Sequence, residues 1–202
     1  MLDRIRASIN VLFRGNPQIE SMIIHDQCEI PKPRVHIGCG PINLEGWINI
    51  DAREAPHIHI ATDKINLQEF SDASIGVIYI SHVLEHFSFA EVEALLNVFH
   101  KKLKPDGVLY VAIPDFSKLV DIYNKFENLE ELKRTLMGGQ EYAYNFHKSI
   151  YDMEILSREL LKAGFRSINV YDTINEFGMD IGDYSTYKIK DHPISLNVKA
   201  FK

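Results

Sequence analysis

Cysteine is nearly missing from this chain: only Cys28 and Cys39 occur, and they have no paired spacing. That excludes a disulfide framework and a cysteine-based zinc site, so no metal is expected, and a reducing cytoplasm is the default compartment. Long apolar runs are missing too. No segment reaches the roughly 20 residues of a membrane span, and the N-terminus lacks the continuous apolar core of a signal peptide. Positive charge is in deficit: a net charge of -6 argues against a general nucleic-acid binder, which carries a basic face. Low-complexity tracts and internal repeats are also absent. What remains is the composition of a soluble globular protein, and 202 residues suffice for one well-buried domain with little left for a second.

The most informative stretch is Val35 to Asp51, VHIGCGPINLEGWINID. It reads as a buried strand over Arg34 to Ile37, a loop of Gly38, Cys39 and Gly40, and a second strand over Trp47 to Ile50 that ends in a carboxylate. Glycines just beyond a strand let backbone approach a ligand where a Cβ would collide. A carboxylate at the tip of the next strand of a doubly wound sheet is placed to accept hydrogen bonds from ribose hydroxyls. Asp51, with Ala52 beside it, is the candidate. A dinucleotide site needs G-x-G-x-x-G and a full helix behind it. Here Asn43 stands at the third glycine position, Pro41 interrupts, and about six residues separate Gly40 from Trp47, little more than one helical turn at roughly 1.5 Å per residue. A ligand without phosphates does not need the helix dipole, so S-adenosylmethionine suits this loop better than NAD.

Further along, His57 to Ala61 is short enough for a third strand, with Thr62 and Asp63 at its end. SDAS (71–74) is a turn, and IGVIYIS (75–81) is an apolar run of the kind buried on both faces of a central strand. Ser81 and His82 stand just beyond it, where ligands of open α/β sheets bind. Ser88 and Glu91 form a capping box for a helix with Val92, Leu95, Leu96, Phe99 and Leu103 on its apolar stripe, ended by the turn KPDG (104–107). VLYVAI (108–113) is a fifth strand. Asp115 caps the next helix, with Leu119, Ile122, Tyr123 and Phe126, and ENLEELKR continues it to Gly138 and Gly139. GGQEYAYNFHKSIY lacks periodicity and reads as a functional loop or lid. Asp152 starts a helix capped by Gly164. SINVYD (167–172) and ISLNVKAF (194–201) are closing strands, and the long polar segment between them is a second pocket wall or an extended hairpin.

IGCG followed by GWINID, then SHVLEHF, then LKPDGVLYVAIPD, resembles the class I S-adenosylmethionine-dependent methyltransferases, in particular the small ones with a G-C-G loop and an L-E-H motif. The resemblance spans roughly residues 34–172 with its motifs in the family's order. It implies an α/β, Rossmann-like doubly wound, mostly parallel seven-stranded sheet with an antiparallel last strand and helices on both faces. It also implies that a polar residue after the third strand meets the adenine amino group, a role open to Asp63, which could equally cap a helix, and that Ser81 and His82 lie near the methionine end of the cofactor. His36 stands where many members of the wider superfamily carry an acidic residue, two positions before the first glycine. The expected cofactor set is therefore His36, Gly38, Cys39, Gly40, Asp51, Ala52, Asp63, Ser81 and His82.

Methyl transfer from a sulfonium is an in-line displacement, and a base is needed only when the acceptor must lose a proton. Histidine suits that task near neutral pH. His86 is one candidate, with Glu85 orienting it or contacting substrate; the alternative is that both fix the loop by hydrogen bonds. His147, in the aromatic loop with Tyr142, Tyr144 and Asn145, is the other, and Tyr144 is a candidate substrate contact. Cys39 has no base beside it in sequence and reads as a small loop residue. No D/N-P-P-Y/F motif follows the fourth strand, which disfavours amino methylation of DNA bases, and IPDF lacks the cysteine of cytosine C5 chemistry. The expected activity is methyl transfer to an oxygen or nitrogen of a small-molecule or carbohydrate-like acceptor. The alternative is a non-catalytic nucleotide-binding or regulatory module on the same fold. Residues 1–33 read as an N-terminal helix and lead-in, and 34–202 as the methyltransferase domain. In 1–14, Leu2, Ile5, Ile9 and Leu12 form an apolar stripe among arginines, a face packed on the domain in preference to one touching an anionic membrane surface.

Overall fold

The computed structural model describes residues 33–202. The amphipathic stripe of residues 1–14, and with it the membrane-contact alternative and the lead-in segment, lies outside the described residues. Strands β1 (Arg34–Ile37), β2 (Ile48–Asp51), β3 (Ile60–Ala61), β4 (Ile75–Ser81), β5 (Leu103–Pro114), β6 (Arg166–Val170) and the final Ser195–Phe201 form one seven-stranded sheet. A two-stranded hairpin, β7 (Lys188–Ile189) and β8 (His192–Pro193), precedes that final strand, which is therefore β9. The order β3-β2-β1-β4-β5-β9-β6 is parallel from β3 to β5, and β9 runs antiparallel to both β5 and β6. This is the mostly parallel sheet with an antiparallel last strand that the resemblance implies.

Alternation along the strands gives the two faces different chemistry. Ile37, Ile50, Ile78, Ile80, Leu109, Val111 and Val198 pack with helices α1 (Phe89–Lys102) and, later in the chain, Met153–Lys162, in a core that includes Leu96, Phe99, Leu156 and Leu160. Ser88 and Glu91 close the capping box of α1 as read from the sequence. The opposite face carries a row in register across the sheet: Asn49, His36, Tyr79, Tyr110 and Lys199. Trp47 and Phe177 stack against Tyr79 from outside, with Leu44 and Ile181 in the same cluster. Three of the polar tips find partners of their own, while His36 Nδ1 and Asn49 Oδ1 are buried without a hydrogen bond. Tyr79 donates to Asp183 Oδ2, Tyr110 donates to Glu176 Oε1 at 2.7 Å, and Lys199 pairs with the same Glu176 carboxylate.

This face is polar and aromatic because the β1–β2, β2–β3 and β3–β4 connections contain no helix. A parallel crossover ordinarily needs a dozen or more residues and a helix. Here turns replace it, and the short helix Thr173–Phe177 brings Phe177 across from the far end of the chain to cover the row.

Two local expectations change. KPDG does not separate helix from strand, since β5 begins at Leu103 and the ladder shifts register between Ile75 and Val77, so that Lys104–Gly107 bulge out of the pairing. The helix after Asp115 is broken. Helix α2 (Phe116–Phe126) ends at Glu127, whose φ of 49° is left-handed, and α3 (Leu129–Met137) starts anew after Asn128. The charged run ENLEELKR hides this break because its propensity is helical on both sides. The helix of Met153–Lys162 is then α4, with Asp152 accepting from the Ile155 N–H as its cap, and Thr173–Phe177 is α5.

Burial of the polar row gives two measurable consequences. Tyr79→Phe removes the donor to Asp183 from a fully buried site and should lower the unfolding free energy by about 1–3 kcal/mol in denaturant titration, the range for a hydrogen bond to a charged group. His36 is 1 % exposed, and burial pushes its imidazole down to about 4 against the opposing pull of the Asp183 carboxylate. The neutral ring is thus favoured in the fold, while the unfolded chain takes up the proton near pH 6.5. Stability from this site is full above pH 6.5 and is lost as pH falls toward 4, by up to about 3 kcal/mol. A His36→Gln variant should show a flatter stability profile between pH 6.5 and 4, while retaining the acid limb set by carboxylates.

Candidate active site

A cleft of about 1060 Å³ opens beyond the carboxyl ends of β1 and β4. It lies where ligands of open α/β sheets bind. Its floor is the loop after β1. Gly38 and Gly40 both have positive φ, 67° and 55°, and the Gly38 and Cys39 N–H groups are tied to the Ile50 carbonyl. The loop is then fastened from two sides. Gly40 N–H donates to Asp51 Oδ2 at 2.8 Å, and the Gly40 carbonyl meets His57 Nε2 at 2.8 Å. Asp51 Oδ1 accepts from the Arg53 backbone N–H at 3.0 Å and from Arg53 Nε at 3.2 Å. A carboxylate has about four acceptor sites in all, two on each oxygen, so Asp51 Oδ2 keeps a lone pair for a ligand. Cys39 is 2 % exposed, and burial, with Asp51 adding to it, pushes its thiol up to about 12, which leaves a packed loop residue rather than a nucleophile.

The second wall follows β4. His82 has a left-handed φ of 53°, unusual for a residue with a side chain. Its Nε2 lies 2.7 Å from Ser195 Oγ, and that hydroxyl donates to the Tyr184 carbonyl at 2.7 Å. The single Ser195 proton is thereby used, so His82 Nε2 is the donor of the pair. Its Nδ1 lies 3.3 Å from Glu85 Oε1. Glu85 sits in a short 3₁₀ turn, Leu84–His86, and is 1 % exposed. Burial opposes its charge, but His82, His86 and His147 around it outweigh that, and its carboxyl is held below the usual range. His86 and His147 stack edge to face at 4.7 Å. Burial lowers His147 from its ordinary value, with Glu85 pulling the other way.

Of the residues named from the sequence, His36, Gly38, Cys39, Gly40, Ser81, His82, His86 and His147 line the cleft. Asp51 stands directly behind Gly40, and Glu85 behind the histidines. Ala52, Asp63 and Tyr144 stand outside the cleft wall: Ala52 is exposed, and the Tyr144 hydroxyl lies 3.5 Å from Asp63 Oδ2. The glycine-rich loop after α3 reaches over the cleft, where Tyr142 packs on the Arg53 guanidinium at 5.5 Å. Sequence reading missed Arg53, Arg134, Asp183, Tyr184 and the hairpin residue Lys190, all on the wall. Only the D-x-S pattern at Asp183, which caps the turn Tyr184–Thr186, gives a local signal.

Residues 46–111 match the family model described as a methyltransferase domain. Among solved structures, a SAM-dependent methyltransferase from Archaeoglobus fulgidus superposes with a TM-score of 0.56 at 17 % identity, covering 94 % of this chain and 96 % of that one. A SAM-dependent methyltransferase from Methanosarcina mazei gives 0.53 at 16 % identity, over 93 % and 98 % of the two chains. The 1,6-didemethyltoxoflavin-N1-methyltransferase of Burkholderia thailandensis, solved with 1,6-didemethyltoxoflavin and S-adenosylhomocysteine, gives 0.52 at 12 % identity, over 100 % and 84 %. No curated protein matches the chain. Residues 46–111 thus carry a methyltransferase-domain match, and the chain as a whole shares the fold of the S-adenosylmethionine-dependent methyltransferases it superposes on.

Proposed function

We propose that this chain binds S-adenosylmethionine in the cleft and transfers its methyl group to an oxygen or nitrogen of a small-molecule or carbohydrate-like acceptor. The observation that carries the reading is the union of the Gly38–Gly40 loop, pinned by Asp51, with Ser81 and His82 in a single cleft. In this reading Gly38 and Gly40 admit the cofactor close to backbone, and the free lone pair of Asp51 Oδ2 accepts a ribose hydroxyl. Asp63, tied to the lid by Tyr144, lies toward the adenine end. His36 and Cys39 complete the cofactor surroundings, and Ala52 reaches the cofactor only from outside the cleft wall. The acceptor side is formed by His86, His147 and the tyrosine-bearing walls, with Glu85 setting the orientation of the imidazoles. Tyr184 and Tyr142 present ring faces and hydroxyls suited to a sugar or metabolite. A cytoplasmic location belongs to the same proposal and rests on the scarcity of cysteine; among the described residues no helix is long and apolar enough to cross a membrane.

Calorimetric titration with S-adenosylmethionine, S-adenosylhomocysteine and NAD tests the cofactor. Micromolar binding of the two adenosyl ligands, about -8 kcal/mol, with none of NAD, is the expected result. Failure of both adenosyl ligands to bind would overturn the proposal. Binding without methyl transfer across an acceptor screen would favour the non-catalytic module.

A further inference from the structure

The L-E-H turn and the aromatic loop meet at a point that methyl transfer by positioning alone does not require. Glu85 is buried, yet neither of its carboxylate oxygens has a well-formed hydrogen bond. The groups facing it are His82 Nδ1 and, at 3.9 Å from Oε1, His147 Nε2. One ligand-type atom each from Glu85, His86 and His147 lies within 4.8 Å of the others. A buried carboxylate left this way is costly unless a cation meets it.

The supports around the cluster fit that role. His86 directs Nδ1 at the Phe146 carbonyl, 3.3 Å away, which leaves Nε2 with a free lone pair. The His147 ring turns its Nε2 toward Glu85, 3.9 Å from Oε1. An imidazole that gives one nitrogen to a backbone carbonyl and turns the other inward is the usual arrangement of a metal ligand. The loop is held in place by main chain: the Lys148 and Ser149 N–H groups both donate to the Glu85 carbonyl, and the His147 N–H donates to the Met137 carbonyl. His86 and His147 also line the cleft, so positions opposite the protein face solvent and substrate.

We infer that Glu85, His86 and His147 form a site for one divalent transition-metal ion, bound by two imidazoles and a carboxylate, whose open positions take an oxygen of the acceptor. The donor set is borderline in softness, which favours ions such as Zn²⁺ or Co²⁺ over Mg²⁺. Ligand atoms around such an ion lie about 3 to 3.5 Å apart for bonds of about 2.0 to 2.2 Å, so small side-chain rotations close the site. His82, held by Ser195, stands beside Glu85 as a positioning residue. The assignment of the open positions to an acceptor oxygen rests on the methyltransferase reading; the ion site itself does not.

The test is calorimetric titration of chelator-stripped protein with ZnCl₂, CoCl₂ and MgCl₂, in parallel with S-adenosylhomocysteine. The wild type should bind one Zn²⁺ or Co²⁺ with micromolar or tighter affinity, and Co²⁺ should give visible ligand-field bands. Losing an outer-shell partner costs about 10–100-fold in metal affinity, so Glu85→Gln and His86→Gln, each checked for native circular dichroism, should weaken binding by about 100-fold or more. His86 is partly exposed, which keeps the second variant informative if the first does not fold. Absence of binding at millimolar ion, or equal affinity in a folded variant, overturns the site. If S-adenosylhomocysteine binds and the metals do not, this inference alone fails. If the metals bind and the adenosyl ligand does not, the site stands and the methyltransferase reading fails.

Discussion

Gly38→Val should cost about 3–5 kcal/mol of unfolding free energy and abolish measurable binding of S-adenosylhomocysteine. Two effects add at this position. Its φ of 67° is left-handed, which costs a residue with a Cβ roughly 1–2 kcal/mol, and more for a β-branched one. A Cβ there would also lie 2.4 Å from Val83 Cγ2. Val83 is itself β-branched and buried, so it cannot swing aside, and the overpacking adds about 1–3 kcal/mol. The relief available is movement of the loop, which displaces the Gly38 and Cys39 N–H groups from the Ile50 carbonyl and deforms the cleft floor. Gly46→Ala is the control. Gly46 has a comparable φ of 75° with nothing within 4 Å of the position a Cβ would take, so that variant should lose only the conformational part and keep its ligand affinity. Denaturant unfolding and titration on the same three proteins decide the matter. Equal losses at both glycines would mean that contact with Val83 is unimportant.

Asp51→Ala should weaken S-adenosylhomocysteine binding by about 100-fold or more, or about 3 kcal/mol, with a smaller effect on stability. The carboxylate has two tasks. It accepts the Gly40 N–H and so fixes the glycine loop, and it also holds Arg53 at the cleft edge. In the alanine variant the Gly40 and Arg53 N–H groups lose their acceptor, and the ribose loses its own. Asp51→Asn keeps one oxygen for Gly40 and should lose about tenfold. Affinity unchanged in Asp51→Ala would remove the ribose assignment, whatever becomes of the cofactor.

Much of the architecture was readable in the chain because it depends on local pattern. A continuous apolar run such as IGVIYIS can be comfortable only where both faces are covered, and it is β4 at the centre of the sheet. Ser88 with Glu91, and Asp152 before its helix, announce helix starts because the orphaned N–H groups they satisfy lie within a few residues. The glycine loop and the acid that ends the next strand were legible for the same reason: parallel pairing of β1 with β2 carries Gly40 and Asp51 to the same sheet edge. Local pattern also misled. ENLEELKR hides the left-handed Glu127, and KPDG reads as a turn where it is a bulge.

Only the tertiary structure decided what meets at the cleft. The polar row Asn49, His36, Tyr79 and Tyr110 exists because strand order places four unrelated segments in register, and nothing local to any of them marks it. Asp183 and Glu176 complete that row from a segment with no periodicity. Glu85, His86 and His147 were each visible as chemistry-bearing residues, yet their convergence depends on main-chain bonds from Lys148 and Ser149 back to Glu85. The sequence alone determined the central strands, the helix starts and the glycine loop, since these follow from short-range periodicity and conformational restriction. The partners of the buried charges were decided by the fold, because they are joined through contacts between segments far apart along the chain.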